Sequence, residues 1–106
     1  IVANHGGRQL DAGQSTIGPL TDLAREIGEG TTVMIDSGLR AGPDVACAIA
    51  SGARFAFLGR SFMYGVGALG EKGGRHTIMM LKRQLQQVME QIGCETVADF
   101  PKHLVQ

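Results

Sequence analysis

Three short apolar runs, each followed by a polar loop that contains glycine, constrain the fold of this chain more than any other feature. They occupy residues 1–3, 31–35 and 55–58 and are rich in β-branched or aromatic side chains. Their apolar residues are continuous rather than alternating with polar ones, which is typical of parallel strands covered on both faces. Helical patterns separate the runs. Strand, loop and helix, repeated three times, predict an α/β fold with a parallel sheet.

The segments that follow the runs have the spacing and the end signals of helices. A first helix is predicted over residues 20–27, with Gly28 as its C-terminal end. A second opens on Gly-Pro-Asp at residues 42–44 and ends at Gly52, and a third, the longest, follows residues 73–74. The side chains predicted to be buried on the last two helices are Val45, Ala48, Ile49, Ile78, Met79, Met80, Leu81, Leu85, Val88, Met89 and Ile92.

The composition argues against several classes of protein. Ten basic and ten acidic side chains among 106 residues give a formal net charge of zero, which is untypical of a nucleic-acid-binding protein. No apolar run approaches the roughly 20 residues that cross a bilayer. Cys47 and Cys94 are predicted to be buried free thiols, and no metal-ligand pattern surrounds them. In the tail, residues 95–106, the side chains predicted to pack are Phe100, Leu104 and Val105.

Polar residues and glycines follow each run where the strand is predicted to end. These loops are residues 4–9, 36–40 and 59–60. Because α/β proteins bind ligands at the carboxyl ends of parallel strands, the three loops are predicted to converge on one site. Glycine N–H groups and arginine guanidinium groups bind phosphate oxygens, so the last two loops predict a phosphate site. In the first loop His5 suits a general base, and Arg8 could bind a carboxylate.

The same loops resemble the motifs of one enzyme family. Residues 4–11 (Asn-His-Gly-Gly-Arg-Gln-Leu-Asp) resemble the active-site signature of the FMN-dependent 2-hydroxy-acid dehydrogenases and oxidases. Residues 36–45 resemble the second flavin loop of that family, and residues 58–60 with 64–65 resemble the third. The resemblance covers essentially the whole chain. One departure is Ser37, because most members of the family carry Gly at this position. The mandelate dehydrogenases resemble this chain there.

The resemblance implies a reaction and a role for each motif residue. His5 would take a proton from a 2-hydroxy acid while the substrate becomes a 2-oxo acid, and Arg8 would pair with its carboxylate. Asp36 would contact the ribityl chain of FMN. The residues that would hold the FMN phosphate are Gly38, Arg40, Gly59 and Arg60.

The resemblance also implies where the chain belongs in a larger fold. Residues 1–106 would be the C-terminal part, about strands six to eight with their helices, of a single FMN-binding TIM (β/α)8 barrel domain, with no second domain. Such a barrel needs about 250 residues, and the chain starts inside an apolar run without Met. We therefore expect part of a longer protein, and we expect the isolated chain to be inactive.

Two alternatives remain at this point. One is another FMN barrel with a similar phosphate site, such as a type 2 isopentenyl-diphosphate isomerase, against which residues 4–11 argue. The other is a catalytically inert folding or assembly fragment. Within the leading interpretation, resemblance to bacterial respiratory members favours L-lactate as substrate, with quinone, cytochrome or oxygen as the electron acceptor. The parent is expected to be a homo-oligomer, cytoplasmic or peripheral at a bacterial inner membrane.

Overall fold

A computed structural model describes residues 1–105, and in this range strands alternate with helices as predicted. The strands are β1 (Met34–Asp36) and β2 (Phe55–Phe57). The α-helices are α1 (Ile17–Ile27), α2 (Gly42–Ala50), α3 (Arg60–Leu69) and α4 (Gly73–Ile92), and short 3-10 helices span His5–Gly7, Gly70–Lys72 and Val97–His103. The strands pair in parallel, with Ile35 opposite Ala56. The predicted α/β class is therefore confirmed.

The first apolar run does not form the strand that was predicted for residues 1–3. Only Val2 pairs, in a single parallel bridge to β1. Its N–H donates to the Met34 carbonyl at 2.8 Å, and its carbonyl accepts the Asp36 N–H at 2.9 Å. The run ends there because the chain turns into the 3-10 helix His5–Gly7. The three segments still lie parallel in the order Val2, β1, β2, so their carboxyl ends share one edge.

The predicted end of α1 is confirmed, but α1 begins three residues earlier than predicted, α2 ends two residues before Gly52, and one helix was not predicted. α1 ends at Gly28, and α4 ends at Gly93 in the left-handed conformation. The segment of α3 has no clear helix signal, because two glycines inside ten residues give it a low helix propensity. Packing accounts for the helix: a Cβ on Gly65 would overlap the buried Thr77 hydroxyl and the Gly73 carbonyl of α4, so the missing side chain lets α3 and α4 approach closely.

Two apolar clusters form the core. The first lies between the sheet and helices α1 and α2, and its buried members are Leu20, Val33, Ile35, Leu39, Ala48 and Ala53. The second lies between α2, α4 and the C-terminal 3-10 helix, and its buried members are Ala46, Cys94 and Phe100. The first cluster fixes the strands from which the three polar loops emerge.

Several predicted core residues are exposed. Cys47 is exposed because it lies on the outer side of α2, between the buried Ala46 and Ala48. On α4 the prediction of buried apolar residues is correct for part of the helix. Helix α2 contacts α4 near Leu85, which packs against the second cluster. The N-terminal half of α4 lies beyond that contact, so its apolar side chains are exposed. The predicted core residues found exposed on α4 and in the tail are Ile78, Met79, Met80, Ile92, Leu104 and Val105.

Candidate functional site

The three strand-end loops line one cavity at the carboxyl edge of the sheet, as the sequence predicts. Its volume is about 270 Å³. All the site residues named from the sequence line it, namely His5, Arg8, Asp36, Gly38, Arg40, Gly59 and Arg60. The other lining residues are Gly6, Ser37, Leu39, Phe57 and Met63.

The loop that carries His5 is a tight turn with an unusual backbone. Asn4 precedes it, and the Asn4 Oδ1 accepts the Gly6 N–H at 3.0 Å. His5 has a φ of 59°, and the two glycines that follow have φ values of 64° and 73°. A non-glycine residue in the left-handed region is uncommon, and such strain occurs most often at functional sites. The turn directs the chain back over the sheet edge, and His5 and Arg8 both line the cavity.

The loop after β1 is fixed by α1. Ser37 has a φ of 83°, and Gly38, with a φ of 85°, continues the left-handed turn that carries the chain away from the strand. The buried Thr16, directly before α1, donates its hydroxyl to the Ser37 carbonyl at 3.1 Å. This contact ties the loop to the buried residue that precedes α1, and it therefore holds the loop in place beside the cavity.

Two helices hold the backbone of Arg40. Its N–H donates to the Asp44 carboxylate in the first turn of α2 at 2.8 Å. Its carbonyl accepts the hydroxyl of the buried Ser61, in the first turn of α3, at 2.7 Å. The guanidinium of Arg40 is exposed and has five N–H donors. The structure pairs Nη1 with the Leu39 carbonyl at 2.9 Å, so most of the donors remain for a ligand.

The third loop ends at the N-terminus of α3. Gly59 is the residue before this helix, and a Cβ added to it would meet nothing within 4 Å, so this part of the wall is open. Arg60 is the first helical residue, and its Nη2 donates to the Gly6 carbonyl at 3.0 Å. The leading N–H groups of an α-helix have no partner inside the helix and favour anions. The first and third loops are therefore joined directly beside a site suited to a negative ligand.

The charges around the cavity are strongly unbalanced. Arg8, Arg40 and Arg60 line it, against the single carboxylate of Asp36. Within residues 1–105 the ion pairs are Arg25–Asp22 and Lys102–Asp99, so none involves a cavity arginine. Arginines without acidic partners favour a ligand that carries several negative charges, such as a phosphate ester.

Sequence reasoning missed the residues that support the loops. Thr16 and Ser61 act through hydroxyl contacts with carbonyl oxygens that lie 21 positions away in each case. A threonine before an apolar helix indicates a helix cap, yet its hydroxyl here bonds to another loop. Ser61 follows the Gly-Arg pair, but only the unpredicted helix α3 brings it to Arg40. Neither contact has a local sequence signal.

Parallel strands with a cationic, glycine-containing cavity at their carboxyl ends define an α/β protein whose site suits a phosphate-bearing ligand. Residues 1–106, the whole chain, match the family described as FMN-dependent dehydrogenase. The chain belongs to this family, whose members are oxidoreductases that use FMN.

Known relatives and solved structures agree with that membership. A peroxisomal (S)-2-hydroxy-acid oxidase of Oryza sativa subsp. japonica is 41% identical over 102 residues, which is 96% of this chain. The 2-hydroxyacid oxidase 2 of Mus musculus is 40% identical over 106 residues, 100% of this chain. A soluble mutant of the membrane-associated (S)-mandelate dehydrogenase from Pseudomonas putida matches 93% of this chain, with 38% identity and a TM-score of 0.87.

The chain is much shorter than these relatives. It spans 28% of the rice oxidase, 30% of the mouse oxidase and 28% of the mandelate dehydrogenase chain. Among the helices described for residues 1–105, none is both long and apolar enough to cross a membrane.

Proposed function

We propose that residues 1–106 form the C-terminal part of one FMN-binding (β/α)8 barrel, about strands six to eight with their helices. The parallel order Val2, β1, β2 and the cavity at the strand ends support this placement. The exposed Phe55 and Phe57 on β2 support it as well. In a complete barrel a further strand would pair with the edge of this sheet and its open face would be covered. On this proposal the isolated chain is inactive and the longer protein is the enzyme.

We propose that the second and third loops hold FMN. The ligand ends in a phosphate dianion, and the cavity fits that group: Arg40 and Arg60 have no acidic partner within residues 1–105, and Gly59 leaves open space where a side chain would stand. Gly38 allows the backbone to approach closely. Asp36, at the end of β1, would contact the ribityl chain.

We propose that the longer protein oxidises an L-2-hydroxy acid to the 2-oxo acid. When bound, FMN accepts the two electrons that leave the substrate. His5 takes a proton from the 2-hydroxy acid, and Arg8 binds the substrate carboxylate and orients C2. The single observation that carries the proposal is that His5 and Arg8 line the same cavity as Arg40 and Arg60.

The proposal also specifies substrate, acceptor and assembly. L-Lactate is the proposed substrate, because the motifs resemble those of bacterial respiratory members of the family and a putative L-lactate dehydrogenase of Mycobacterium tuberculosis is 36% identical over 107 residues. A quinone, a cytochrome or oxygen then removes the electrons, and the enzyme is a homo-oligomer in the cytoplasm or at the inner face of the membrane.

The test is His5→Gln in the full-length protein that carries this segment. Loss of a general base lowers a rate by about 10²- to 10⁴-fold. We expect anaerobic bleaching of the flavin by L-lactate to slow by that factor, with FMN still bound, because the phosphate contacts are unchanged. His76→Gln on α4, an exposed histidine outside the cavity, is the matched control and should reduce at the wild-type rate. Near wild-type bleaching in His5→Gln would show that another group takes the proton.

A further inference from the structure

The peptide groups of Gly6 are held from two directions by other loops. Its N–H donates to the Ser37 Oγ at 3.2 Å, across 31 positions of the chain. Its carbonyl accepts the Arg60 guanidinium at 3.0 Å, across 54 positions. Gly6 directly follows His5, so these contacts set the distance of the proposed base from the other two loops.

The contact from Ser37 differs from the local contact made by Asn4. Asn4 lies two residues before Gly6, so its side chain shapes the turn but does not locate it. Ser37 lies one residue after β1, and its carbonyl is bound by the buried Thr16. The Ser37 hydroxyl therefore ties the turn to the sheet.

The backbone of Ser37 supports a specific role for its hydroxyl. A φ of 83° is strained for a residue with a Cβ, and glycine would adopt it without strain. A Cβ at this position carries the hydroxyl that reaches Gly6. The strain and the contact therefore come from the same atom group, and removing the side chain would relieve one while losing the other.

We infer that Ser37 is a positioning residue that holds the His5 turn against the sheet in the reaction proposed above. Its hydroxyl acts through the peptide of Gly6. When its hydroxyl is removed, the Gly6 N–H keeps Asn4 as acceptor, so no polar group is left unpaired. The fold survives, and the loss falls on the placement of His5.

The experiment compares Ser37→Ala with Ser37→Gly in the full-length holoenzyme. Both variants lose the hydroxyl, but only glycine relieves the strain, so Ser37→Gly should melt at a higher temperature than Ser37→Ala. Both should slow flavin reduction at saturating L-lactate by about tenfold, below the roughly 100-fold that a 1 Å misplacement can cost. The substrate Kd should change less than threefold, and FMN should stay bound.

Amide hydrogen exchange gives a readout independent of turnover. Exchange in the peptide that covers residues 4–10 should be faster in both variants than in the wild type. Thr21→Ala, which removes an exposed hydroxyl bonded within α1, is the control and should change neither exchange there nor reduction. Wild-type reduction rates in both variants, or rates that follow the melting temperature, would overturn the inference. Failure of the wild type to be reduced by any 2-hydroxy acid would instead overturn the proposed function.

Discussion

Replacing Asp44 tests whether the Arg40 loop is held by α2. One carboxylate oxygen of Asp44 accepts the Arg40 N–H at 2.8 Å and the Ala41 N–H at 2.9 Å. A hydrogen bond to a charged group contributes about 1.5–3 kcal/mol, and the partial exposure of these two lowers that figure. With the favourable position of the charge at the N-terminus of α2, we expect Asp44→Ala to lower the free energy of unfolding by about 2 kcal/mol.

The same change should weaken FMN binding although Asp44 does not line the cavity. If half of the lost free energy is needed to restore the loop on binding, the Kd for FMN rises about fivefold, because 1.4 kcal/mol corresponds to tenfold. Asp44→Asn keeps one acceptor oxygen, so about 1 kcal/mol of destabilisation is expected.

The assays are urea unfolding of the full-length apoprotein and a fluorescence titration with FMN. Asp22→Ala is the control, because the Asp22–Arg25 pair is exposed on α1 and contributes less than about 0.5 kcal/mol. An Asp44→Ala protein with wild-type stability and wild-type FMN affinity would falsify the argument that this carboxylate holds the loop.

Two further predictions concern packing and pH. Gly65→Ala should cost about 3 kcal/mol in chemical unfolding, because its Cβ would overlap the buried Thr77 hydroxyl and the Gly73 carbonyl. Gly67→Ala, with open space around its Cβ, should stabilise α3 by about 0.5–1 kcal/mol, and equal stability of the two variants would contradict the close approach. A hydrogen bond from Lys102 lowers the pKa of Asp99 from 3.8. The stabilisation is therefore present above pH 3.8 and is lost as the pH falls through the lowered pKa. In a plot of melting temperature against pH, Asp99→Asn should reduce the fall at acidic pH, and an unchanged fall would refute this.

The strand ends were predictable because their signals are local. Apolar runs followed by glycine and arginine mark the loops around Arg40 and Arg60, and parallel pairing then brings the loops together. Helix α3 was not predictable, because its stability comes from the approach of Gly65 to Gly73 rather than from propensity. The exposure of Cys47 depends on the rotation of α2, which periodicity fixes only to about one residue.

The support of the site was also beyond the sequence, for a physical reason. A hydroxyl such as that of Ser61 can bond to many carbonyl oxygens, and only the folded chain selects the one of Arg40. The corrected exposure of Met79 and Met80 has a similar origin. An amphipathic pattern shows which side of a helix is apolar, but the neighbouring elements decide how much of it is covered.

The contact between Arg60 and Gly6 has a consequence for how the protein assembles. It closes a loop of 54 positions, and the entropy of closure must be overcome before the contact gives any stabilisation. The helices close much shorter loops, so we expect them to form earlier. We therefore expect the edge that carries the three loops to become ordered last in this segment, and we expect a ligand that contacts all three loops to stabilise the folded arrangement.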